Sequence, residues 1–265
     1  MRTIVCPVDF SSTSENAAQY AVELSLRLDA EVVICHAQHI PVLDAHTPAV
    51  AVQDLMEQQQ LEVSKKLDAV AARLKSQFGG KVRTWQTFGL VVDMIKEIES
   101  ESTIYLVVMG TKGATNALDK FIGTTSTDVM TRVELPMIIV PEGCQATAMD
   151  HVGYATDFTQ ETDDGILDFQ EFIRPFGGDL SIVHVSNRKV DADEILAVVR
   201  HFESSAEVET IVGENVTFEL NEYVENNNIK LLALKRHKRN FFESLFHKSI
   251  SKEMAITSKI PVLIF

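Results

Sequence analysis

Two hydrophobic rhythms alternate along the chain. Short runs rich in β-branched residues stand at 3–8, 31–36, 82–87, 104–109 and 137–140, most of them strongly apolar, as strands buried on both faces are, with 82–87 the most polar of the five. Between them, at 13–29, about 52–78, 90–100 and 123–133, apolar positions recur near every 3.6 residues and predict helices. A second series follows, with strands at 151–155, 180–185, 208–212, 229–234 and 262–265 and helices at 160–174, 192–204, 214–226 and 247–258. Such alternation predicts parallel strands joined by crossover helices. The expected fold is α/β, two doubly wound five-stranded parallel-sheet domains in tandem, with ligands beyond the carboxyl ends of the strands. Ser12 with Glu15 three residues later reads as a capping box for the first helix, and Pro136 stops the last helix of the first series.

The two series are copies of one design. IVCPVDFSSTSENA is echoed 148 positions later by VGYATDFTQETDDG, which aligns Asp9 with Asp157, Phe10 with Phe158, Ser11 with Thr159 and His36 with His184. Farther on the spacing becomes 125, pairing Val91 with Val216, Ile95 with Leu220, Ile104 with Ile229, Leu106 with Leu231 and Pro136 with Pro261. The second copy therefore lacks about 23 residues between its second and third strands. We expect domains at 1–144 and 150–265, with PEGCQATAM (141–149) as the linker. The last strands, 137–140 and 262–265, are expected to pair with each other and make the chain a pseudo-dimer, with a homodimer open to it as well.

Composition narrows the function classes. A chain of 265 residues, 45% hydrophobic and 23% charged, has room for two cores without disulfides or structural metals. Its net charge of −14 repels a phosphate backbone, so no nucleic-acid partner is expected. Lys235, Arg236, Lys238 and Arg239 crowd around His237, but a solvated loop after a strand is the simpler reading. Cys6, Cys35 and Cys144 contain no C-x-x-C pair, and His36, His39 and His46 have no fourth ligand in evidence, so neither a disulfide framework nor a metal site is expected. No apolar run reaches the ~18 residues of a membrane span, and Asp9 interrupts any export signal near the start. The expectation is a cytoplasmic protein without a membrane partner.

Candidate chemistry lies in MGTKGATNALDKFIGTTS, residues 109–126, between a strand and a helix. Gly110, Gly113 and Gly123 fall where the backbone can take positive φ and approach a ligand. Thr124, Thr125 and Ser126 then open a helix, so free N–H groups, the helix dipole and hydroxyls converge where a phosphate could sit, and Lys112 adds a cation. The spacing is neither a Walker A loop nor G-x-G-x-x-G.

Gly, two residues, Gly, nine residues, Gly, Ser/Thr resembles the nucleotide-binding signature of ATP-binding universal stress proteins, filled here by Gly110, Gly113, Gly123 and Thr124. The resemblance implies an adenine nucleotide alpha hydrolase-like, Rossmann-like fold. It also implies that Asp9 of the Pro7-x-Asp9 turn contacts adenine, that Ala37 lines the base pocket and that Met109 packs nearby. Asp9 fits a second reading equally well, as part of the cap of the first helix beside Ser11 and Ser12. At the 125 spacing the three glycines become Lys235, Lys238 and Lys248, Thr124 becomes Ser249, and Pro7 is matched by Ala155. The second copy is thus expected to keep the fold and lose the nucleotide. Loop 38–51, with Pro41 and Pro48, reads either as a lid or as a connector. The function this implies is a stress-response module that binds ATP, with Mg²⁺ screening the triphosphate, rather than turning it over. The alternatives are a weak ATP hydrolase, for which the nearby acids are Asp119 and Asp128, and a scaffold that acts through its surface.

Overall fold

The computed structural model describes residues 2–40, 48–111, 124–146, 149–156, 169–199, 207–235 and 244–265. The first half runs β1 (Arg2–Pro7), α1 (Ser12–Leu28), β2 (Ala30–Gln38), α2 (Ala49–Phe78), β3 (Lys81–Phe88), α3 (Val91–Glu101), β4 (Ile104–Gly110), α4 (Thr124–Arg132) and β5 (Met137–Val140). The second runs β6 (His151–Ala155), a 3₁₀ turn (Arg174–Phe176), β7 (Asp179–Ser186), α5 (Ala192–Val199), β8 (Glu207–Val212), α6 (Val216–Asn226), β9 (Leu231–Leu234), α7 (Ser244–Thr257) and β10 (Val262–Ile264). Most of the helix expected at 160–174 falls outside the described residues. Its end, 169–173, is helical and tightens into the 3₁₀ turn before Gly177 reverses the chain at φ 62°.

All ten strands form one sheet in the order β3-β2-β1-β4-β5-β10-β9-β6-β7-β8. Every neighbouring pair is parallel except β5 and β10, which run antiparallel with Val262 opposite Ile139, Leu263 opposite Ile138 and Ile264 opposite Met137. The β5–β10 pairing anticipated from the sequence is thus the seam of a continuous sheet.

Both faces of the inner strands are covered, which is why these read as apolar runs, whereas the edge strands β3 and β8 are mixed in sequence and only partly buried. Ile4, Cys6, Val32 and Ile34 join one buried cluster with α1 residues such as Ala18, Ala21 and Leu24. Their strand neighbours Val5, Val33 and Cys35 point the other way and meet Val92, Ile95 and Ile98 of α3. Each fully buried aliphatic side chain contributes about 1.5–3 kcal/mol by leaving water. The thirty-residue α2 is attached more sparsely, burying only Leu67, Val70 and Leu74 along one stripe, while Val50 and Leu61 stay exposed. An ion pair from Arg73 to Glu15 at 2.6 Å ties it to α1.

The repeat spacing survives in the hydrogen bonds. His36 Nδ1 meets the Val8 carbonyl at 2.6 Å, and His184 Nδ1 meets the Thr156 carbonyl at 2.7 Å, 148 positions on. The Gly89 N–H donates to Gln38 O and the Gly213 N–H to Ser186 O, both at 2.9 Å. The Val107 N–H donates to Pro136 O at 2.9 Å and the Leu232 N–H to Pro261 O at 3.1 Å, 125 positions on. Both histidines therefore pin a strand end to the next turn.

Candidate functional site

Within β3-β2-β1-β4-β5 the winding reverses between β1 and β4, and a crevice opens there beyond the carboxyl ends of the strands. The cleft has a volume of about 650 Å³, within the range of small-molecule sites. Its floor is Pro7 and Val8 from β1, Ala37 from β2, and Met109 and Gly110 from β4. One wall is the start of α1 with Asp9, Ser11 and Ser14, and the other is α4 with Thr125, Ser126 and Asp128. Seven of the eleven residues singled out from the sequence, Pro7, Asp9, Ala37, Met109, Gly110, Thr125 and Ser126, therefore line one cavity. Thr124 opens α4 on that wall. Lys112, Gly113 and Gly123 lie outside the described residues, as do 41–47 of the loop read as a lid, including His46.

The first wall is built by local hydrogen bonding. The Asp9 carboxylate accepts from the Ser11 N–H at 3.0 Å and the Ser11 hydroxyl at 2.5 Å, while the Asp9 N–H donates to Ser14 Oγ at 3.2 Å. Partial burial works against the ionised carboxylate, but these hydroxyl and amide donors outweigh it and hold the Asp9 carboxyl below its usual range. Ser11 in turn caps α1 by accepting the Ser14 N–H at 3.2 Å. The cap is thus Ser11 and not Ser12, because Asp9 orients Ser11 from behind. Glu15 pairs with Arg73 instead of closing a capping box. Phe10, between them, takes the left-handed φ of 63° and lies against the His36 ring at 4.8 Å.

Gly110 behaves differently from the expectation. Its φ is not left-handed, and a β-carbon there would stand 2.6 Å from the backbone oxygen of Thr13. Glycine is needed because β4 passes tightly under α1. Ser126 is buried, and its hydroxyl donates to the Gly110 carbonyl at 3.3 Å, so toward the cleft that hydroxyl offers lone pairs rather than its hydrogen. Thr125 is exposed in the first turn of α4, the end of the helix that carries the positive pole of its dipole, and lines the cavity.

Several lining residues were not singled out from the sequence, among them Ser14, Arg132 and the turn Gly89–Val92, while His39, weighed there only as a metal ligand, lines the cleft as well. Gly89, at φ 131°, carries the chain from β3 into α3 and brings Leu90 to the rim. The signal that finds this turn is its place at a strand's carboxyl end. Asp128, weighed earlier only as a hydrolytic acid, is an exposed lining residue, and Arg132 one turn later puts a cation on the same wall.

A mostly parallel sheet with helices packed on both faces and a cleft at its switch point, between a capped turn and a helix start, defines a doubly wound α/β protein. The sequence profile of the Universal stress protein family matches residues 1–141, and the chain belongs to that family. It is 26% identical over 142 residues to universal stress protein MJ0531 of Methanocaldococcus jannaschii, which covers 52% of this chain and 81% of the relative. An uncharacterized protein, C167.05 of Schizosaccharomyces pombe, is 28% identical over 145 residues, 52% of this chain and 23% of that one. A solved universal stress protein of Archaeoglobus fulgidus superposes with TM-score 0.75 at 20% identity, over 99% of this chain and 97% of its own. A functionally unknown protein of Pseudomonas aeruginosa, PA1789, gives 0.65 at 12% identity over 100% and 92%. These two extend the fold likeness across both halves. Among the described residues no helix is long and apolar enough to cross a membrane.

Proposed function

We propose that the first half binds one ATP in the β1–β4 cleft and that the protein is a regulatory module of the stress response, working by binding rather than by turnover. The supporting observation is the convergence of Asp9, Ala37 and Met109 with the start of α4 in a cleft of about 650 Å³. The base then lies among Pro7, Ala37 and Met109, with Asp9 as its polar contact. The triphosphate runs toward Thr125 and Ser126, where the helix N-terminus meets anionic charge. Gly113, Gly123 and Lys112 complete the phosphate loop in this reading. Mg²⁺ would screen the phosphates, and Asp128 is the carboxylate on that wall.

The second half, 150–265, is a degenerate copy in this account. Lys235, Lys238 and Lys248 stand where the three glycines of the phosphate loop are, so it keeps the sheet and binds no nucleotide. Its role is to cover β5 through β10 as an intramolecular dimer partner. Three free cysteines suit a reducing cytoplasm.

Thr125→Glu tests the site. A carboxylate in the first turn of α4 suits the helix dipole and leaves folding intact, yet repels the phosphates. ATP affinity should fall at least tenfold by calorimetry, with the melting temperature unchanged or slightly higher. Wild-type affinity would remove the triphosphate from this wall.

A further inference from the structure

The antiparallel pairing of β5 and β10 is centred on Ile138 opposite Leu263, residues 125 positions apart, so the seam carries an approximate two-fold axis. Each site beside the seam therefore has a twin.

One of the twins is filled by the chain itself. The linker leaves β5 at Val140, and Ala146 is buried against the α1 core. Three polar contacts hold it there. The Ala146 N–H donates to Glu23 Oε2 at 2.9 Å, Asn16 Nδ2 donates to Pro141 O at 3.2 Å, and the Cys144 thiol donates to Lys259 O at 3.4 Å.

Its counterpart is a cavity of about 500 Å³ beside the end of β10. Glu171, at the 148 spacing from Glu23, stands on its rim and pairs with Arg2 at 2.6 Å. Phe265, at the 125 spacing from Val140, lies stacked on Phe169 with centroids 5.5 Å apart. Tyr105 and Phe172 stack across the halves at 6.3 Å, and the Arg2 guanidinium covers the Tyr105 ring at 4.6 Å. Where the filled site has the small Ala21, Leu24 and Val140, this one has Phe169, Phe172 and Phe265. It is wide and aromatic, and its rim charges neutralise each other.

We propose that this seam cavity is a docking site for a short peptide segment of another protein, seated as the linker is seated in the twin. A bulky apolar side chain enters among the phenylalanines, and the Glu171 carboxylate accepts the backbone N–H that Glu23 accepts from Ala146. The aromatic walls set the size of that side chain. The Arg2–Glu171 pair cancels charge at the rim and favours an uncharged segment, a feature that also spares a partner the repulsion of the chain's net charge of −14. The site is separate from the nucleotide cleft and does not rest on that assignment.

The test uses the whole chain and a peptide of residues 141–149 carrying Glu142→Gln, Cys144→Ser and Ala146→Leu and a charge-neutral fluorescent label, the change at Ala146 fitting the wider cavity. Fluorescence polarisation should give saturable binding between about 10 μM and 1 mM, the strength of a small, transient interface. Thr103→Trp, an exposed rim residue, should fill the cavity and weaken binding at least tenfold, and Glu171→Ala should do the same by removing the acceptor. Circular dichroism shows that each variant is folded. Absence of binding to the wild type at about 1 mM would overturn the proposal, as would wild-type binding by both variants.

Discussion

Gly110→Ala separates packing from ligand contact at the centre of the fold. The added carbon would stand 2.6 Å from Thr13 O, 3.0 Å from Thr13 C and 3.1 Å from Thr13 Cγ2. The two shortest contacts are backbone of the first turn of α1, which Ser11 caps and Asp9 orients, so no rotamer change relieves them. Either α1 lifts or β4 sinks, and β4 pairs with both β1 and β5. Overpacking of this kind costs about 1–3 kcal/mol, a fall in melting temperature of roughly 2–10 °C for a chain of this size. Adding Thr13→Ala removes only the 3.1 Å contact, so the double variant should recover little. Gly143→Ala is the control, with a left-handed φ of 79° but nothing within 4 Å, and should cost about 1–2 kcal/mol from backbone strain alone. Urea unfolding followed by circular dichroism reads these differences directly. Stability of Gly110→Ala within about 0.5 kcal/mol of wild type would refute the packing account and return Gly110 to the ligand.

Leu74→Ala should cost about 2–5 kcal/mol in the same assay, because fully buried Leu74 is one of three anchors of α2, whereas exposed Leu61→Gln should cost almost nothing. Burial pushes the Cys6 thiol up to about 12 and the Cys35 thiol well above its usual range, so native protein at pH 8 should react with a thiol reagent only at Cys144, and slowly, because its thiol is also raised. Fast labelling of two or three thiols would contradict this. The depressed Asp9 carboxyl stabilises the fold above its unfolded value near 4, and this contribution disappears as pH falls through its folded value. Acid titrations of wild type and Asp9→Asn should therefore differ at neutral pH and converge once the pH has fallen through the depressed folded value of Asp9. Residues 1–144 alone should dimerise through the uncovered edge of β5, and a strict monomer at high concentration in sedimentation would show that this edge needs no partner.

The strand runs, the doubly buried character of the inner ones and the two repeat spacings were legible because periodicity and apolar content are local properties of the chain. The seam was not legible from periodicity alone, because each half has two sheet edges, β3 and β5 or β8 and β10, and the expectation of pairing through the last strands rested on the family resemblance. Boundaries shifted where side chains compete for backbone groups. Asp9 captured Ser11 and moved the cap by one residue, and α2 starts at Ala49, earlier than the pattern suggested, without a side-chain cap. The glycine motif was visible, but the reason for Gly110 was not, because Thr13 lies 97 positions away in sequence and meets it only in the folded sheet. Ser14, Arg132 and the Gly89 turn went unnoticed for a related reason. They are ordinary residues alone and become a site only when four strand ends are brought together.

The central claim is one nucleotide site per chain, in the first half. Isothermal calorimetry of the intact, nucleotide-free chain with ATP and Mg²⁺ tests it most directly. The account predicts one ATP per chain, with ~2.7 kcal/mol of added stability at a hundred times the dissociation constant. Two sites of similar affinity would show that Lys235, Lys238 and Lys248 do not close the second half, and no measurable binding would contradict the assignment of the cleft itself.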